Sequence, residues 1–162
     1  MPGEILWAPW RMTYISSAKE EPQVCIFCDR PSQADGRENL VLHADAWVCV
    51  MLNRYPYNSG HLMVAPRKHA ADFAALDGDE FRNLMESFRR AVAVVREVFR
   101  PDGLNVGANL GKVAGAGFDA HLHWHVVPRW NGDTNFMPVI ADVKVMPQHL
   151  LETYDRLAPH FR

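Results

Sequence analysis

The sequence contains few cysteines, little net charge and no long apolar run, and each absence excludes a class of protein. Three cysteines among 162 residues are too few for a secreted domain built on disulfides. The 17 basic and 19 acidic side chains leave a net charge of −2, so the chain has no broad basic field for nucleic-acid binding. No apolar stretch approaches the roughly 18 residues of a membrane span.

The composition that is present is typical of a soluble globular protein. Apolar residues make up 48% of the chain and charged residues 22%. A length of 162 residues predicts one domain with a sizeable core. The first residues lack the basic and apolar zones of a signal peptide, so we expect a cytoplasmic protein with neither a nucleic-acid nor a membrane partner.

Three histidines, His121, His123 and His125, alternate with apolar residues within residues 120–128. Successive side chains of a β-strand point to opposite faces, so the three imidazoles would line one face while the apolar residues face a core. Histidine titrates near neutral pH and can act as a nucleophile, an acid or a metal ligand. The pattern leaves three interpretations: a histidine-rich surface strand, a zinc site, or covalent catalysis by an imidazole.

Cys25 and Cys28 form a Cys-x-x-Cys motif. A redox motif of this kind would open a helix after a strand, whereas residues 29–32 open no convincing long helix, so zinc binding is favoured. A zinc site needs two further ligands. His61 and His69 flank the third predicted strand and are candidate partners of the histidine triplet. The remaining cysteine lies inside a predicted strand, where we expect it to be a buried small hydrophobe.

The hydrophobic pattern predicts strands, one long helix and a short C-terminal helix. The long helix begins at Asp77, which can form a capping box with Glu80, and it ends before the Pro-Asp-Gly sequence at 101–103. The short helix is expected to begin near residue 147. The predicted strands are residues 39–43, 47–52, 61–65, 104–109 and 120–128.

A loop of small residues leads into the histidine-rich strand. It contains Ala114, Gly115, Ala116 and Gly117 in succession. Glycine lets the backbone approach a ligand closely, and successive N–H groups can form a nest for an anion. The loop is therefore consistent either with proximity to a phosphate or with a flexible hairpin turn.

The order of these features resembles the histidine triad (HIT) family, whose motif alternates histidine with hydrophobic residues. The similarity covers roughly residues 25–130. Its segments are Asn53, residues 60–66, the long helix, residues 103–106 and 109–111, and the triad itself. The flanks resemble the branch of the family that contains diadenosine tetraphosphate phosphorylases and is related to the fragile-histidine-triad hydrolases; these flanks are residues 6–11, 55–58 and 128–136.

The resemblance implies an α+β fold with an antiparallel sheet of about five strands, usually assembled as a homodimer. It implies a single HIT domain over residues 1–162, with an N-terminal arm at 1–24, a core at 25–130 and a C-terminal extension at 131–162. It also implies hydrolysis or transfer at the α-phosphate of an adenine nucleotide, here diadenosine tri- or tetraphosphate, through a nucleotidyl-histidine intermediate.

The match to the motif also implies roles for individual histidines. His123 would be the nucleophile, with its other ring nitrogen held by a backbone carbonyl. His125 would bond the bridging oxygen and help the leaving phosphate depart, and His61 would be a buried supporting histidine.

The same resemblance implies a set of substrate-binding residues. Asn53 would bind ribose, and Asn109 would approach the phosphates. The backbone N–H groups of the loop from Gly115 to Gly117 would hold the non-bridging oxygens as charge moves.

Family members with a Cys-x-x-Cys motif use the first histidine of the triad and a histidine just after the third strand as zinc ligands. The resemblance thus implies a closed, structural zinc site formed by Cys25, Cys28, His69 and His121. Mg²⁺ bound together with the substrate is a further option.

One departure from the family pattern affects the acceptor. Many members carry Gln, Ser or Thr two to four residues before the first histidine, where this chain has Gly, Phe, Asp and Ala at 117–120. The acceptor is therefore open, since water would give a hydrolase and inorganic phosphate a phosphorylase. Three alternatives also stay open: an adenosine phosphoramidase-type hydrolase, a zinc-dependent metalloenzyme that uses the histidine face, and a nucleotide-binding module without turnover.

Overall fold

The computed structural model of the chain describes residues 24–133, 146 and 148–161. The expected N-terminal arm, 1–24, lies almost wholly outside the described residues, as do residues 134–145 of the expected C-terminal extension. The described elements belong to one compact unit, Cys25–Asp133 together with Met146–Arg162. Within the described ranges, no helix combines the length and the apolar character needed to cross a membrane.

Five antiparallel strands form one sheet: β1 Val41–Ala44, β2 Val48–Leu52, β3 Leu62–Pro66, β4 Gly103–Ala108 and β5 Trp124–Arg129. Their order in the sheet is β1-β2-β3-β5-β4. This confirms the expected α+β fold with a sheet of about five strands. The second strand is buried along its whole length because neighbouring strands flank it and both sheet faces are covered.

The prediction of a strand over residues 120–128 is wrong at its N-terminal end. The strand β5 begins at Trp124, so His121 and His123 precede it and only His125 lies within it. The pairings of both β3 and β4 with β5 end at Trp124: β4 itself stops at Ala108, the partner of Trp124, whereas β3 continues to Pro66 in pairing with β2. Leu122 instead donates its backbone N–H to the carbonyl of Ala70 at 2.6 Å.

The long helix, α2, spans Gly78–Phe99 and confirms the predicted capping box. The Asp77 carboxylate accepts from the backbone N–H groups of Asp79 and Glu80, both at 2.9 Å. The Glu80 carboxylate accepts in return from the Asp77 N–H at 2.8 Å. Among the described residues, the other α-helices are the single turn α1, Ile26–Asp29, and the C-terminal α3, Leu150–Leu157.

Each face of the sheet carries its own apolar core. The core under α2 takes in Leu122 and Val126, so the predicted alternation of faces holds even where the strand has not begun. The core on the opposite face, here called the second core, lies on the side of the histidines. It consists of Phe27, Val41, Cys49, Met51, Met63 and Ala65.

Candidate functional site

Two cysteines and two histidines converge at one corner of the second core. The Cys25 Sγ lies 3.1 Å from the His121 Nδ1, and the Cys28 Sγ lies 3.6 Å from the same nitrogen. The Cys28 Sγ is also 3.4 Å from the His69 Nδ1. All four donor atoms lie within 4.8 Å of one another. We call Cys25, Cys28, His69 and His121 the metal corner.

The spacing of these donor atoms fits a tetrahedral zinc ion. Zinc bonds of about 2.3 Å to sulfur and about 2.0 Å to nitrogen place a sulfur and a nitrogen roughly 3.5 Å apart. The three sulfur–nitrogen distances above lie close to this value. Two thiolates and two imidazoles are also the donor set that structural zinc sites use. The four residues brought together are those expected from the resemblance.

Hydrogen bonding prepares His121 to bind a cation. Its Nε2 lies 2.8 Å from the carbonyl oxygen of Pro66, which can only accept, so Nε2 carries the proton and the lone pair is on Nδ1, beside the two cysteine sulfurs. Burial lowers the pKa of His121 to about 4, which keeps the ring neutral. Burial raises the pKa of the Cys25 thiol to about 11, and a bound cation would take the place of its proton.

His123, two residues along the chain, has the opposite tautomer. Its Nδ1 donates to the backbone carbonyl of His121 at 2.8 Å, so the lone pair is on Nε2. The side chain is only 5% exposed, and burial lowers the pKa of His123. A neutral imidazole with an available Nε2 is the form that can act as a nucleophile.

A chain of hydrogen bonds sets the tautomer of His125. The Tyr57 backbone N–H donates to the His61 Nδ1 at 3.1 Å, so the proton of His61 is on Nε2. That nitrogen lies 2.9 Å from the His125 Nδ1 and donates to it. His125 therefore carries its own proton on Nε2. We call His61, His123 and His125 the histidine cluster.

The histidine cluster places the lone pair of one imidazole beside the N–H of another. The rings of His123 and His125 are 4.8 Å apart between centroids and nearly perpendicular, at 73°. One ring presents a lone pair and the other an N–H. This pairing suits the attack on an electrophilic centre while a departing oxygen is stabilised.

The predicted substrate-binding residues lie around the ends of these strands. Asn53 follows β2 and is half-buried; its Oδ1 accepts from the Tyr55 N–H at 2.9 Å. Asn109 directly follows Ala108, which pairs with Trp124, so it lies at the strand end next to His123. The backbone of Gly115 is left-handed, and the residues Gly115 and Gly117 are exposed in the loop before His121.

Sequence reasoning gave no individual role to two residues next to the histidine cluster. Tyr57 stacks on His61 with centroids 5.1 Å apart and planes 15° apart. Asn58 is buried and donates from Nδ2 to the Pro128 carbonyl at 3.0 Å and to the Asp133 carboxylate at 2.7 Å. Both residues lie in the segment 55–58, which resembles the phosphorylase branch of the family, but its polar composition predicts only a turn and gave neither side chain a role.

Comparison with known proteins identifies the family. The model of the HIT domain family matches residues 20–132. The chain is 42% identical over 160 residues to the AP-4-A phosphorylase of Mycobacterium tuberculosis, and the match covers 94% of this chain and 82% of that protein. The chain therefore belongs to the HIT domain family.

Solved structures of relatives agree with the fold. A Zn-bound histidine triad family protein from Mycobacterium smegmatis has a TM-score of 0.64 at 25% identity, covering 84% of this chain and 91% of its own. A histidine triad nucleotide-binding protein from Sulfolobus tokodaii has a TM-score of 0.63 at 26% identity, covering 84% and 88%. The expected HIT-like arrangement is thus confirmed.

Proposed function

We propose that this protein cleaves diadenosine tetra- or triphosphate at the α-phosphate through a nucleotidyl-histidine intermediate. The observation that carries the proposal is the pair of opposite tautomers, with a lone pair on the His123 Nε2 beside an N–H on the His125 Nε2. The 42% identity to a protein named AP-4-A phosphorylase supports the choice of substrate.

In the first step the His123 Nε2 forms a bond to the α-phosphorus and the bond to the bridging oxygen breaks. The electron pair leaves with the bridging oxygen, which departs on a nucleoside polyphosphate anion and needs no proton. The His125 N–H stabilises the charge on that oxygen. The resulting positive charge on the His123 ring is stabilised by the His121 carbonyl, which accepts from Nδ1.

In the second step an acceptor oxygen attacks the same phosphorus and releases His123. Inorganic phosphate as the acceptor would give ADP, and water would give AMP, with ATP as the other product of the tetraphosphate. The segment before His121 supplies no Gln, Ser or Thr, and Phe118 packs edge-on against Phe27 at 6.4 Å instead. A phosphorylase is favoured because the relative that is 42% identical is named AP-4-A phosphorylase. A phosphoramidase is the second alternative.

The substrate-binding roles belong to the same proposal. Asn53 would bind ribose, Asn109 would approach the phosphates, and the backbone around Gly115 and Gly117 would hold non-bridging oxygens. The metal corner would hold a structural Zn²⁺, and four protein ligands would leave no position for substrate, which argues against a zinc-dependent reaction. Mg²⁺ would arrive bound to the polyphosphate.

The proposal also covers domain organisation, location and assembly. We infer a single domain over residues 1–162, a cytoplasmic location and a homodimer. The dimer is supported by β4, which lies at the edge of the sheet and exposes 49% of Val106. A strand that has only one neighbour in the described sheet offers a row of backbone groups to a second copy.

The test is product analysis with diadenosine tetraphosphate, in the presence and absence of inorganic phosphate. ADP and ATP that form only with phosphate are expected and would establish a phosphorylase. AMP and ATP without phosphate would establish a hydrolase. His123→Ala should form no product with either acceptor. His160→Ala is its matched control, since His160 lies outside the histidine cluster. No product from the wild type with either acceptor would refute the proposal.

A further inference from the structure

Phe27 is a buried aromatic residue that neither the metal corner nor the proposed chemistry uses. Its side chain is 0% exposed. Its ring stacks on His123, with centroids 4.8 Å apart and planes 28° apart. The same ring lies 5.1 Å from the His121 ring at 46°. One side chain therefore contacts both the proposed nucleophile and a residue of the metal corner.

The ring of His123 is held on three sides. Phe27 covers one face, and the His125 ring approaches from another direction at 4.8 Å. The Nδ1–H is fixed by the His121 carbonyl at 2.8 Å. Together these contacts restrict tilting of the imidazole and leave Nε2 as the nitrogen available for substrate.

Phe27 itself sits in an element with little stability of its own. The helix α1 has 4 residues, and its N-cap, Cys25, makes no side-chain capping bond. Isolated helices shorter than about 12 residues are marginal in water, so this single turn is held by its tertiary contacts. Cys25 and Cys28 flank Phe27, and a metal ion bound to both would fix the turn on either side of the ring.

We propose that Phe27 is a positioning residue through which the metal corner holds the His123 imidazole in its reactive orientation. The effect of Phe27 on catalysis rests on the proposed function, whereas the coupling between the metal corner and the orientation of the His123 ring does not. Displacement of a reacting group by about 1 Å can cost on the order of 10²-fold in rate. Metal binding would thus influence the rate although the metal never contacts the substrate.

The first test measures the His123 ring without measuring activity. In ¹⁵N-histidine-labelled protein loaded with zinc, the wild type should show one slowly exchanging Nδ1–H resonance for His123. Phe27→Leu and Phe27→Met keep an apolar side chain but remove the flat ring, and both should speed that exchange at least tenfold while binding one equivalent of zinc. Zinc removal from the wild type should have the same effect.

The matched control is Val41→Ala, which removes buried atoms from the second core but no aromatic ring. It should lower the unfolding temperature without changing the exchange of the Nδ1–H. If the Phe27 variants match Val41→Ala in exchange, Phe27 only fills the core and the proposal is overturned.

The second test measures nucleotidyl-enzyme formation in a single turnover. Phe27→Leu should lower the rate at least tenfold relative to Val41→Ala. Zinc removal should lower the single-turnover rate of the folded wild type by a similar factor. It should change the rate of Phe27→Leu less than twofold, because zinc removal and the substitution both act through the contact between Phe27 and His123. If the rate losses caused by Phe27→Leu and by zinc removal multiply, the two act independently and the coupling is refuted. A wild type that forms no nucleotidyl-enzyme refutes the proposed function, and the resonance still decides whether Phe27 positions the ring.

Discussion

The metal corner and the histidine cluster both contain imidazole side chains, but His121 and His123 present opposite ring nitrogens. His121 offers Nδ1 because its Nε2 donates to the Pro66 carbonyl. His123 offers Nε2 because its Nδ1 donates to the His121 carbonyl. The two rings are two residues apart and are both buried, so burial alone does not separate their roles. The backbone carbonyl that each ring finds decides which nitrogen is available.

The comparison also shows how differently the two groups are held. The metal corner joins the turn α1 to residues that follow β3 and precede β5, so a cation would connect three separate parts of the chain. The histidine cluster is held by hydrogen bonds that start at the Tyr57 backbone and pass through His61 to His125. Disrupting the histidine cluster should therefore affect the chemistry directly, whereas disrupting the metal corner should lower stability and reach the chemistry only through the orientation of His123.

The largest effect is expected from His123→Ala, which breaks the histidine cluster and leaves the metal corner intact. Turnover of diadenosine tetraphosphate should fall by about 10⁴-fold or more, because the covalent intermediate cannot form. Zinc content and circular dichroism should match the wild type. A variant that keeps even a tenth of the wild-type turnover would contradict the role of His123.

Cys28→Ala should break the metal corner and spare the tautomers of the histidine cluster. We expect loss of bound zinc and a decrease of about 4 kcal/mol in the free energy of unfolding, since the metal binds the folded state. Urea titrations with and without zinc measure this difference. Cys49→Ala is the control, because Cys49 is buried in the second core but is no part of the metal corner. Equal zinc content in the two variants would refute the assignment.

His61→Met should interrupt the hydrogen bonds that set the tautomer of His125. The kcat should fall by about 10²-fold with little change in KM, because the His125 N–H acts as the bridging bond breaks. His61→Gln can place an amide N–H near the His125 Nδ1 and should retain more activity. The test is steady-state kinetics together with the ¹⁵N shifts of His125. Equal losses in the two variants would show that the proton on His61 has no role.

The smallest effect is expected from Asn53→Ala, which removes a proposed contact to ribose and touches neither group of histidines. The KM should rise about tenfold while kcat stays within about threefold, since the contact is the same in ground and transition states. Asn39→Ala, an asparagine that bonds the Asp35 carbonyl away from the site, is the control. A fall in kcat without a change in KM would argue against a binding role.

Much of the fold could be predicted because its signals are local. The capping box involves two residues only three positions apart in the chain, Asp77 and Glu80, and the alternation of faces around Leu122 follows from backbone geometry. The start of β5 could not be predicted, because it depends on where two distant strands stop pairing. A strand's hydrogen-bond partners are not encoded in its own side chains.

The candidate site divides in the same way. The histidine pattern and the Cys-x-x-Cys motif indicated which residue types carry chemistry, and the family resemblance supplied their expected roles, which stay predictions for His123, His125 and His61. Phe27 lies inside the Cys-x-x-Cys motif, but no role was predicted for it, because a phenylalanine at this position could simply be an apolar core residue. Its contact with His123 joins residues 96 positions apart in sequence and appears only in the folded chain.

The sequence by itself determined which side chains were available and on which face of the chain they lie, because side-chain alternation is a property of the extended backbone. Only the tertiary structure decided what each imidazole can do. Hydrogen-bond partners such as the Pro66 and His121 carbonyls and the Tyr57 N–H fix the tautomer of each ring. A proton's position on histidine is set by its surroundings, and folding creates those surroundings.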